Sequence, residues 1–249
     1  MARFFVQPSD IQAGTVTLTG ENAHHAAYSL RLAPGDRIHV CDQTTAYLCE
    51  LIAFDRDTAT ARILQATPID TEPPFRAHIY QALPKGDKLD TVIQKAVECG
   101  ACSVTPFESS RCIVRAKPDA EPRKTERRAR IAEEAAKQCG RGIIPTVHPT
   151  VPFSDALDSA LRADLVLFCY EGKDTTPLPV VLGNFSAYAP AERVPDIAIL
   201  IGSEGGFSSE EVAAAVSHGC VPVGLGPRIL RTETASSFVL SCLVYALEL

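Results

Sequence analysis

Three features missing from this sequence of 249 residues limit the class of protein to which it can belong. No apolar run approaches the roughly 20 residues that span a bilayer, and the first residues, MARFFVQPSD, lack the apolar segment of a secretory signal. The nine cysteines are scattered and odd in number, which fits small reduced thiols better than a disulfide framework. We therefore expect a cytoplasmic protein without a membrane partner.

The patterns of metal sites and hydrolases are missing as well. No cluster of His, Cys and Asp has the spacing of metal ligands, and no Ser, His and Asp set is suggested. Cys99 and Cys102 form a C-x-x-C, but no second pair follows at zinc-finger spacing. Core packing is therefore favoured over redox or metal use for this pair, and we expect no metal.

What is present is the composition of an ordinary globular protein, 46% hydrophobic and 22% charged. Residues 1–70 have the pattern of short strands with one helix, which predicts a small β-barrel domain. The stretch 70-DTEPPF-75 is the best linker candidate, because its two prolines cannot extend a helix or a central strand.

From residue 75 to 249 the pattern changes to apolar strand-like runs that alternate with helical segments. The runs are RAHIYQAL, SVTPF, DLVLFCYE, DIAILIG and VPVGLG. Such alternation is typical of parallel strands joined by helices. The sequence therefore predicts an α/β domain whose mainly parallel sheet is covered on both faces.

Charge is unevenly distributed along the chain. The net charge is −6, yet residues 111–141 contain ten Lys or Arg and five acids, so this segment is +5 and the remainder is −11. A local basic region on an acidic protein is what contact with a phosphate backbone needs. The same pattern is typical of a solvated helix with ion pairs one turn apart, and the sequence leaves both interpretations open.

The segment 196-DIAILIGSEGGFSSEEVAAAV-216 has the order strand, glycine loop, helix, which usually indicates a phosphate site. Neither a Walker loop nor a dinucleotide fingerprint fits it, since no lysine follows Gly202 and the glycine spacing is wrong. Glu204 would repel a pyrophosphate, and a capping box of Ser208 and Glu211 would occupy the first amides of the helix. We expect a nucleoside or a sulfonium at Glu204; a tight turn without a ligand is the alternative.

A second loop at a strand end follows in 224-GLGPRILRTETASSF-238. Gly226 and Pro227 force a turn, and Thr232 is expected to cap the next helix. Ligands of open α/β sheets usually bind in the crevice at the carboxyl ends of the strands. The two loops together can therefore enclose a flat heterocycle, with Ile229 and Leu230 covering its face.

These two loops carry a resemblance to a known family. IGSEGGFS followed by LGPRILRTETA resembles the paired C-terminal signatures of the SPOUT class of S-adenosylmethionine-dependent methyltransferases. More narrowly, the chain resembles the bacterial 16S rRNA (uridine-N3) methyltransferase family over nearly its whole length. The other matching stretches are RFF, HHAAYSLRLAPGDRIHVCD, KGDKLDTVIQKAVECGACSVTPFESSRCIV and RIAEEAAKQCGRGIIP. One departure is Ser203, where the family usually has proline.

The resemblance implies an α/β methyltransferase domain with a trefoil knot at residues 75–249 and a PUA-like β-barrel RNA-binding domain at residues 1–70. It implies S-adenosyl-L-methionine as the cofactor, a homodimer, and methylation of N3 of a specific uridine in 16S (small-subunit) rRNA. The substrate would be the rRNA itself or the small ribosomal subunit. Two other hypotheses stay open: a methyltransferase for another RNA site, and a ribosome assembly factor with a degenerate cofactor loop.

The resemblance also assigns roles to individual residues. Arg231 is the candidate that stabilises the uracil anion, with a purely structural pairing to Glu204 or Glu233 as the alternative. Glu233 or a water takes the proton from uracil N3. The candidate cofactor-binding residues are Tyr170, Glu171, Gly202, Glu204, Gly205, Gly206, Leu225, Gly226, Ile229, Leu230 and Arg231. The candidate RNA-binding residues are Arg3, Arg31, Lys85, Lys88, Arg111, Arg130 and Arg141.

Overall fold

The computed structural model describes residues 1–188, 190 and 192–249. The chain forms two compact units. The first comprises Met1–Glu72 together with Ala136–Ile144, and the second comprises Pro73–Ala135 with Pro145–Leu249. None of the helices in the described part of the chain is both long enough and apolar enough to cross a membrane.

The first unit is built on one six-stranded sheet. Its strands are β1 (Arg3–Phe5), β2 (Ile11–Gln12), β3 (Thr15–Thr19), β4 (Arg37–Cys41), β5 (Thr45–Phe54) and β6 (Thr58–Pro68). Their order in the sheet is β1-β4-β5-β6-β3-β2, with β1 parallel to β4 and every other neighbour antiparallel. A short helix, α1 (Gly20–His24), continues into one π-helical turn, His25–Ser29. The strand-rich character expected for this region is confirmed.

Alternating side chains build the core of the first unit. In β3, Val16 and Leu18 are fully buried while the threonines between and beside them are not. Such alternation is what one packed face and one wet face of a strand require. Phe4, Ile38 and Leu51, from β1, β4 and β5, belong to the same cluster.

The segment Ala136–Ile144 belongs to the first unit because of specific polar contacts. The Arg141 side chain is buried and forms an ion pair with Glu72, and Arg3 Nη1 donates to the Arg141 carbonyl oxygen at 2.9 Å. The Gly142 N–H donates to the Thr71 hydroxyl at 2.9 Å. These contacts tie the segment to the start and the end of residues 1–72.

The second unit alternates strands and helices along the chain. Its elements are β7 (Arg76–Ala82), α2 (Lys88–Glu98), β8 (Ala101–Glu108), α3 (Glu121–Cys139, whose end lies in the first unit), β9 (Thr146–Val147), β10 (Val151–Pro152), α4 (Phe153–Ala160), β11 (Leu165–Cys169), β12 (Thr176–Pro177), α5 (Leu178–Tyr188), β13 (Asp196–Ile201), α6 (Ser209–Ser217), β14 (Pro222–Gly224) and α7 (Thr232–Leu247). All five apolar runs that predicted strands in this part of the chain form strands.

Eight strands of the second unit form a parallel sheet in the order β10-β8-β7-β13-β11-β14-β12, with β9 also paired to β8. All of these pairings are parallel. Ile79, Leu167 and Ile199 in the central strands are fully buried, as expected for strands covered on both faces. The predicted α/β class is confirmed.

The direction of the central strands fixes where a ligand can lie. Because β7, β13, β11 and β14 run parallel, their carboxyl ends meet at one edge of the sheet. The loops that follow them, 83–87, 202–208, 170–175 and 225–231, therefore gather at that edge. This edge holds both of the glycine loops singled out in the sequence.

Candidate functional site

A cavity of about 630 Å³ lies at the carboxyl edge of the parallel sheet. Its wall is made by the ends of β11, β13 and β14 and by the first turn of α7. Every residue that the sequence proposed for cofactor binding lines it: Tyr170, Glu171, Gly202, Glu204, Gly205, Gly206, Leu225, Gly226, Ile229, Leu230 and Arg231. The fold thus gathers into one wall residues that are up to 61 positions apart in the chain (231 − 170).

The glycine loop after β13 is a tight turn. The Gly206 N–H donates to the Ser203 carbonyl oxygen at 2.9 Å, and Gly206 has a φ of +66°, which favours glycine. A Cβ on Gly202 would lie 3.0 Å from backbone atoms of Gly206. The turn therefore has no room for a side chain at residue 202.

Phe207 anchors the far end of this turn in the core. Its ring is buried, with its centroid 4.4 Å from that of Phe168 and 6.2 Å from that of Phe107. The predicted capping box at the start of α6 is confirmed: the Glu211 N–H donates to Ser208 Oγ at 3.2 Å, and the Ser208 N–H donates to Glu211 Oε2 at 2.9 Å. The helix therefore satisfies its own first amides, so they are not directed at an anion.

The start of α7 differs from the sequence prediction. Thr232 is the first helical residue and not the cap, which is Arg231. The Thr232 hydroxyl donates instead to the Gly202 carbonyl oxygen at 2.6 Å and accepts from Gln81 Nε2 at 2.8 Å. These bonds join the end of β7 to both glycine loops. Gln81 was not among the predicted site residues, although a glutamine inside the apolar run RAHIYQAL was a usable signal.

Glu204, the acid at the centre of the glycine loop, is held by a lysine. Lys88 Nζ lies 2.9 Å from Glu204 Oε1, and the Lys85 N–H donates to the same oxygen at 3.1 Å. Burial alone would raise the pKa of Glu204, but the bonds from Lys88 and from backbone amides outweigh it and lower that pKa. The bond to Glu204 also raises the pKa of Lys88. The negative charge that was expected to meet the ligand is therefore already compensated within the protein.

Lys88 forms the structural pairings with Glu204 and Glu233 that were the alternative role for Arg231. Its Nζ lies 3.4 Å from Glu233 Oε2, so that one lysine bridges Glu204 and Glu233. Arg231 is exposed at the cavity wall, and no ion pair or side-chain hydrogen bond engages it among the described residues. Its guanidinium is therefore available to a ligand.

Cys169, at the end of β11, also lines the cavity. Burial raises the pKa of its thiol to about 12, and a protonated thiol is a poor nucleophile. A covalent step through this cysteine is therefore disfavoured. Among the described residues, no group of three or more His, Cys, Asp or Glu is arranged to hold a metal ion.

The candidate RNA-binding residues fall into different settings. Lys88 and Arg111 line the cavity, and Arg111 Nη1 donates to the Gly205 carbonyl oxygen at 2.9 Å. Lys85 and Arg31 are exposed. Arg141 is only 6% exposed and is paired with Glu72, so its guanidinium is not presented to an RNA phosphate.

The basic segment 111–141 is extensively ion-paired. Within it Arg115, Arg127, Arg128 and Arg130 form ion pairs with Glu108, Asp90, Glu121 and Glu126 in that order. The exposed pair of Arg130 with Glu126, one turn apart on α3, supports the interpretation of a solvated, salt-bridged helix face, whereas Arg128 is buried. Arg123 and Lys117 remain exposed in the same segment, which leaves charge for a phosphate contact.

A Ser, His and Asp set is present, contrary to the sequence analysis, but it is structural. His78 Nδ1 lies 2.8 Å from Ser103 Oγ, and His78 Nε2 lies 2.9 Å from Asp196 Oδ1. Ser103 is 6% exposed, so its hydroxyl is closed to a substrate. Arg76 donates two hydrogen bonds to the Asp196 carboxylate, of 2.8 and 2.6 Å. The set lies at the amino ends of β7 and β13, opposite the cavity, and residues so distant in sequence give no local signal.

Acid should weaken this network. Hydrogen bonds from Arg76, and then from His78, lower the pKa of Asp196 from 3.8 to about 2 despite its partial burial. Because the folded pKa lies below the unfolded one, the stabilisation is present above about pH 4 and is lost towards about pH 2. We expect Asp196→Asn to lower the free energy of unfolding by about 1–2 kcal/mol at neutral pH and by much less near pH 2.

Urea unfolding at both pH values measures this effect. Asp158→Asn, at an exposed position of α4, is the matched control and should change the free energy of unfolding little at either pH. An equal cost of Asp196→Asn at neutral and at acid pH would contradict the assignment.

Comparison with known proteins agrees with this architecture. Residues 71–244 match the family model described as an RNA methyltransferase domain, and residues 18–64 match the one described as an RNA methyltransferase PUA domain. The fold is thus that of an RNA methyltransferase with an N-terminal PUA module, and the predicted combination of an α/β methyltransferase domain with a PUA-like domain is confirmed.

Individual relatives narrow the assignment. The chain is 35% identical to "Ribosomal RNA small subunit methyltransferase E" of Bacillus subtilis (strain 168), over 100% of this chain and 98% of that protein. It therefore belongs to the family of ribosomal RNA small subunit methyltransferase E, as its resemblance to the uridine-N3 methyltransferases indicated.

Two solved structures share the fold across almost the whole chain. A ribosomal RNA small subunit methyltransferase E from Neisseria gonorrhoeae bound to S-adenosyl methionine has a TM-score of 0.83 and 28% identity, covering 98% of this chain and 97% of that one. A putative methyltransferase from Legionella pneumophila, in complex with the bound cofactor SAM, has a TM-score of 0.84 and 30% identity with the same coverage.

Proposed function

We propose that this protein uses S-adenosyl-L-methionine to methylate N3 of a specific uridine in 16S (small-subunit) ribosomal RNA. The observation that carries the proposal is the cavity, because it is lined by both of the glycine loops that resemble the family's signatures. The family match and the cofactor-bound relatives support the same reaction. A substrate of this kind implies work in the cytoplasm, where ribosomes are made.

The cavity wall fits a nucleoside cofactor. The turn at Gly202 and Gly206 leaves backbone free of side chains, so a flat ring can approach it closely. Ser203 Oγ is buried, has no hydrogen-bond partner among the described residues and belongs to the cavity wall. An orphaned buried hydroxyl of this kind is a ready contact for a polar ligand atom. Ser203 therefore replaces the family's usual proline with a side chain that can take part in binding.

The cofactor supplies a methyl group on a sulfonium, and the residues of this chain prepare the acceptor. Uracil N3 carries a proton at neutral pH and becomes nucleophilic as it loses that proton. Arg231, exposed at the wall and without a protein partner among the described residues, stabilises the uracil anion. Glu233 Oε2 lies 3.4 Å from Lys88 Nζ without forming a hydrogen bond, and Glu233 is absent from the cavity wall; its absence from the wall favours a water over Glu233 as the proton acceptor.

RNA capture is assigned to cations in each unit. In the second unit these are the exposed Arg111 and Lys85 beside the cavity, together with the exposed Arg130 on α3; in the first unit they are the exposed Arg31 and the half-buried Arg3. Lys88 serves mainly as the bridge between Glu204 and Glu233, and Arg141 serves to hold the segment Ala136–Ile144. Phosphate contacts of this kind position the RNA without reading its sequence.

The proposal includes three further parts that follow from the family. Residues 1–70 act as the RNA-binding PUA-like domain and residues 75–249 as the methyltransferase domain. The second of these carries the trefoil knot. The working protein is a homodimer.

Methyl transfer to defined RNA tests the proposed function. Purified protein is incubated with S-adenosyl-L-methionine and either naked 16S rRNA or small ribosomal subunits that lack the modification, and the nucleosides are analysed by mass spectrometry. The expected product is 3-methyluridine, suppressed by excess S-adenosylhomocysteine. A different methylated nucleoside would assign the enzyme to another RNA site. Cofactor binding without any methyl transfer would favour the assembly-factor hypothesis.

A further inference from the structure

A second cavity, of about 260 Å³, lies within the first unit and has no part in the proposed reaction. It opens between α1 with its π-helical turn on one side and the turn joining β5 to β6 on the other. Its lining includes His24 and Tyr28 from the helical side and Asp55, Arg56 and Asp57 from the turn. Its volume lies below the roughly 300–1,000 Å³ of pockets for drug-sized ligands, which suits a ligand of nucleobase size.

The helical wall of this cavity is an exposed aromatic platform. The Tyr28 side chain is 66% exposed, although a large aromatic residue is usually well covered. The ring of His24 supports it from within the same helical segment, with ring centroids 4.6 Å apart. A supported aromatic ring with an open face is the surface on which unpaired bases stack.

The opposite wall contains one group that can accept hydrogen bonds from a base edge and one that can bind a phosphate. Asp55 Oδ1 accepts from the Arg56 N–H at 2.8 Å, which stiffens the turn. The carboxylate of Asp57 and the guanidinium of Arg56 are exposed and have no partner among the described residues. A carboxylate accepts hydrogen bonds only, so it selects a base with adjacent N–H donors and repels the carbonyl oxygens of uracil. Guanine, with N1–H beside its amino group, is the base that fits best.

We propose that this cavity binds one unpaired guanine of the RNA substrate. The guanine stacks on Tyr28, donates to Asp57 and leaves its phosphate beside Arg56. The inference rests on the proposed function, since it takes the ligand to be part of the same RNA. It assigns sequence preference to the first unit, whereas the cations named above give affinity alone.

The absence of tryptophan from the chain gives a direct test. Tyr28→Trp places a single tryptophan on the platform, where a stacked base quenches its fluorescence. We expect a short oligouridylate carrying one guanosine to quench this fluorescence, with affinity at least about tenfold above that of the all-uridine oligonucleotide. Asp57→Asn, added to Tyr28→Trp, should remove this preference while quenching persists.

Tyr245→Trp is the matched control, because Tyr245 is also largely exposed but lies on α7. Its fluorescence should not respond to the guanosine. Equal quenching at both positions, or none at residue 28, would overturn the proposal, as would equal affinity for the two oligonucleotides.

The methylation assay distinguishes a failure of the guanine site from a failure of the proposed function. Tyr28→Ala should raise KM for rRNA several-fold, with the kcat and the Kd for S-adenosylmethionine unchanged. An unchanged KM would overturn the guanine site and leave the proposed function standing. The unsubstituted protein could fail to form 3-methyluridine while guanosine still quenches the fluorescence of Tyr28→Trp. That result would reject the proposed function and keep the guanine site.

Discussion

Arg231→Ala should lower kcat for RNA methylation by about 10²–10³-fold, the usual cost of removing one preorganised donor from a developing anion. Arg231 is exposed at the cavity wall, beside the glycine loop, with no protein partner among the described residues. The loss should therefore appear in the chemical step, while the Kd for S-adenosylhomocysteine stays nearly unchanged. Single-turnover methylation at saturating cofactor and RNA measures this step.

Two further variants define what Arg231 contributes. Arg231→Lys keeps the charge but loses the planar fork of donors, so we expect an intermediate rate. Arg162→Ala removes an exposed arginine of the second unit that lies outside the cavity wall, and it should keep full activity. Full turnover by Arg231→Ala under saturating conditions would exclude the proposed role in chemistry.

Gly202→Ala should weaken binding of S-adenosylmethionine and S-adenosylhomocysteine by about 10- to 100-fold. The added Cβ would lie 3.0 Å from backbone atoms of Gly206, and overpacking of this kind costs about 1–3 kcal/mol. The strain falls on the turn that forms the cavity wall, so it should appear mainly as lost affinity. Calorimetric titration without RNA measures it.

Gly183→Ala is the matched control for this substitution. Gly183 lies in α5 with nothing within 4 Å of an added Cβ, and alanine is the better helix former. Its cofactor affinity should equal that of the unsubstituted protein. If Gly202→Ala bound the cofactor equally well, the turn at residues 202–206 would not be the cofactor wall.

Much of the fold was visible in the sequence because buried parallel strands are continuous apolar runs. DIAILIG and DLVLFCYE became the central strands β13 and β11. The strands β9, β10 and β12 have two residues each, too few to show a period. The attachment of Ala136–Ile144 to the first unit depends on long-range contacts such as the ion pair of the buried Arg141 with Glu72, and composition does not predict such pairings.

The sequence predicted the features of the site only where they depend on residues that are close together in the chain. Glycine spacing and the Ser208 capping box are short-range signals, and both glycine loops line the cavity. The bridge from Lys88 to Glu204 joins residues 116 apart, and the bond from Gln81 to Thr232 joins residues 151 apart. Thr232 was wrongly expected to be a cap because its actual partner, the carbonyl of Gly202, lies in the loop after β13, 30 residues earlier in the chain.

The neighbouring positions of β7 and β13 in the sheet affect how the protein folds. Their pairing joins residues about 120 apart, as the bond from Arg76 to Asp196 does. Pairings of such long range close slowly, because the entropy of the intervening loop is lost before any contact compensates for it. During synthesis β7 cannot pair with β13 until β13 has been made. The cavity wall cannot form until the residues after β14 have been made as well. Under the proposed site assignment, cofactor binding is a late event that reports complete folding, and a nascent chain that ends before Arg231 lacks part of the proposed site.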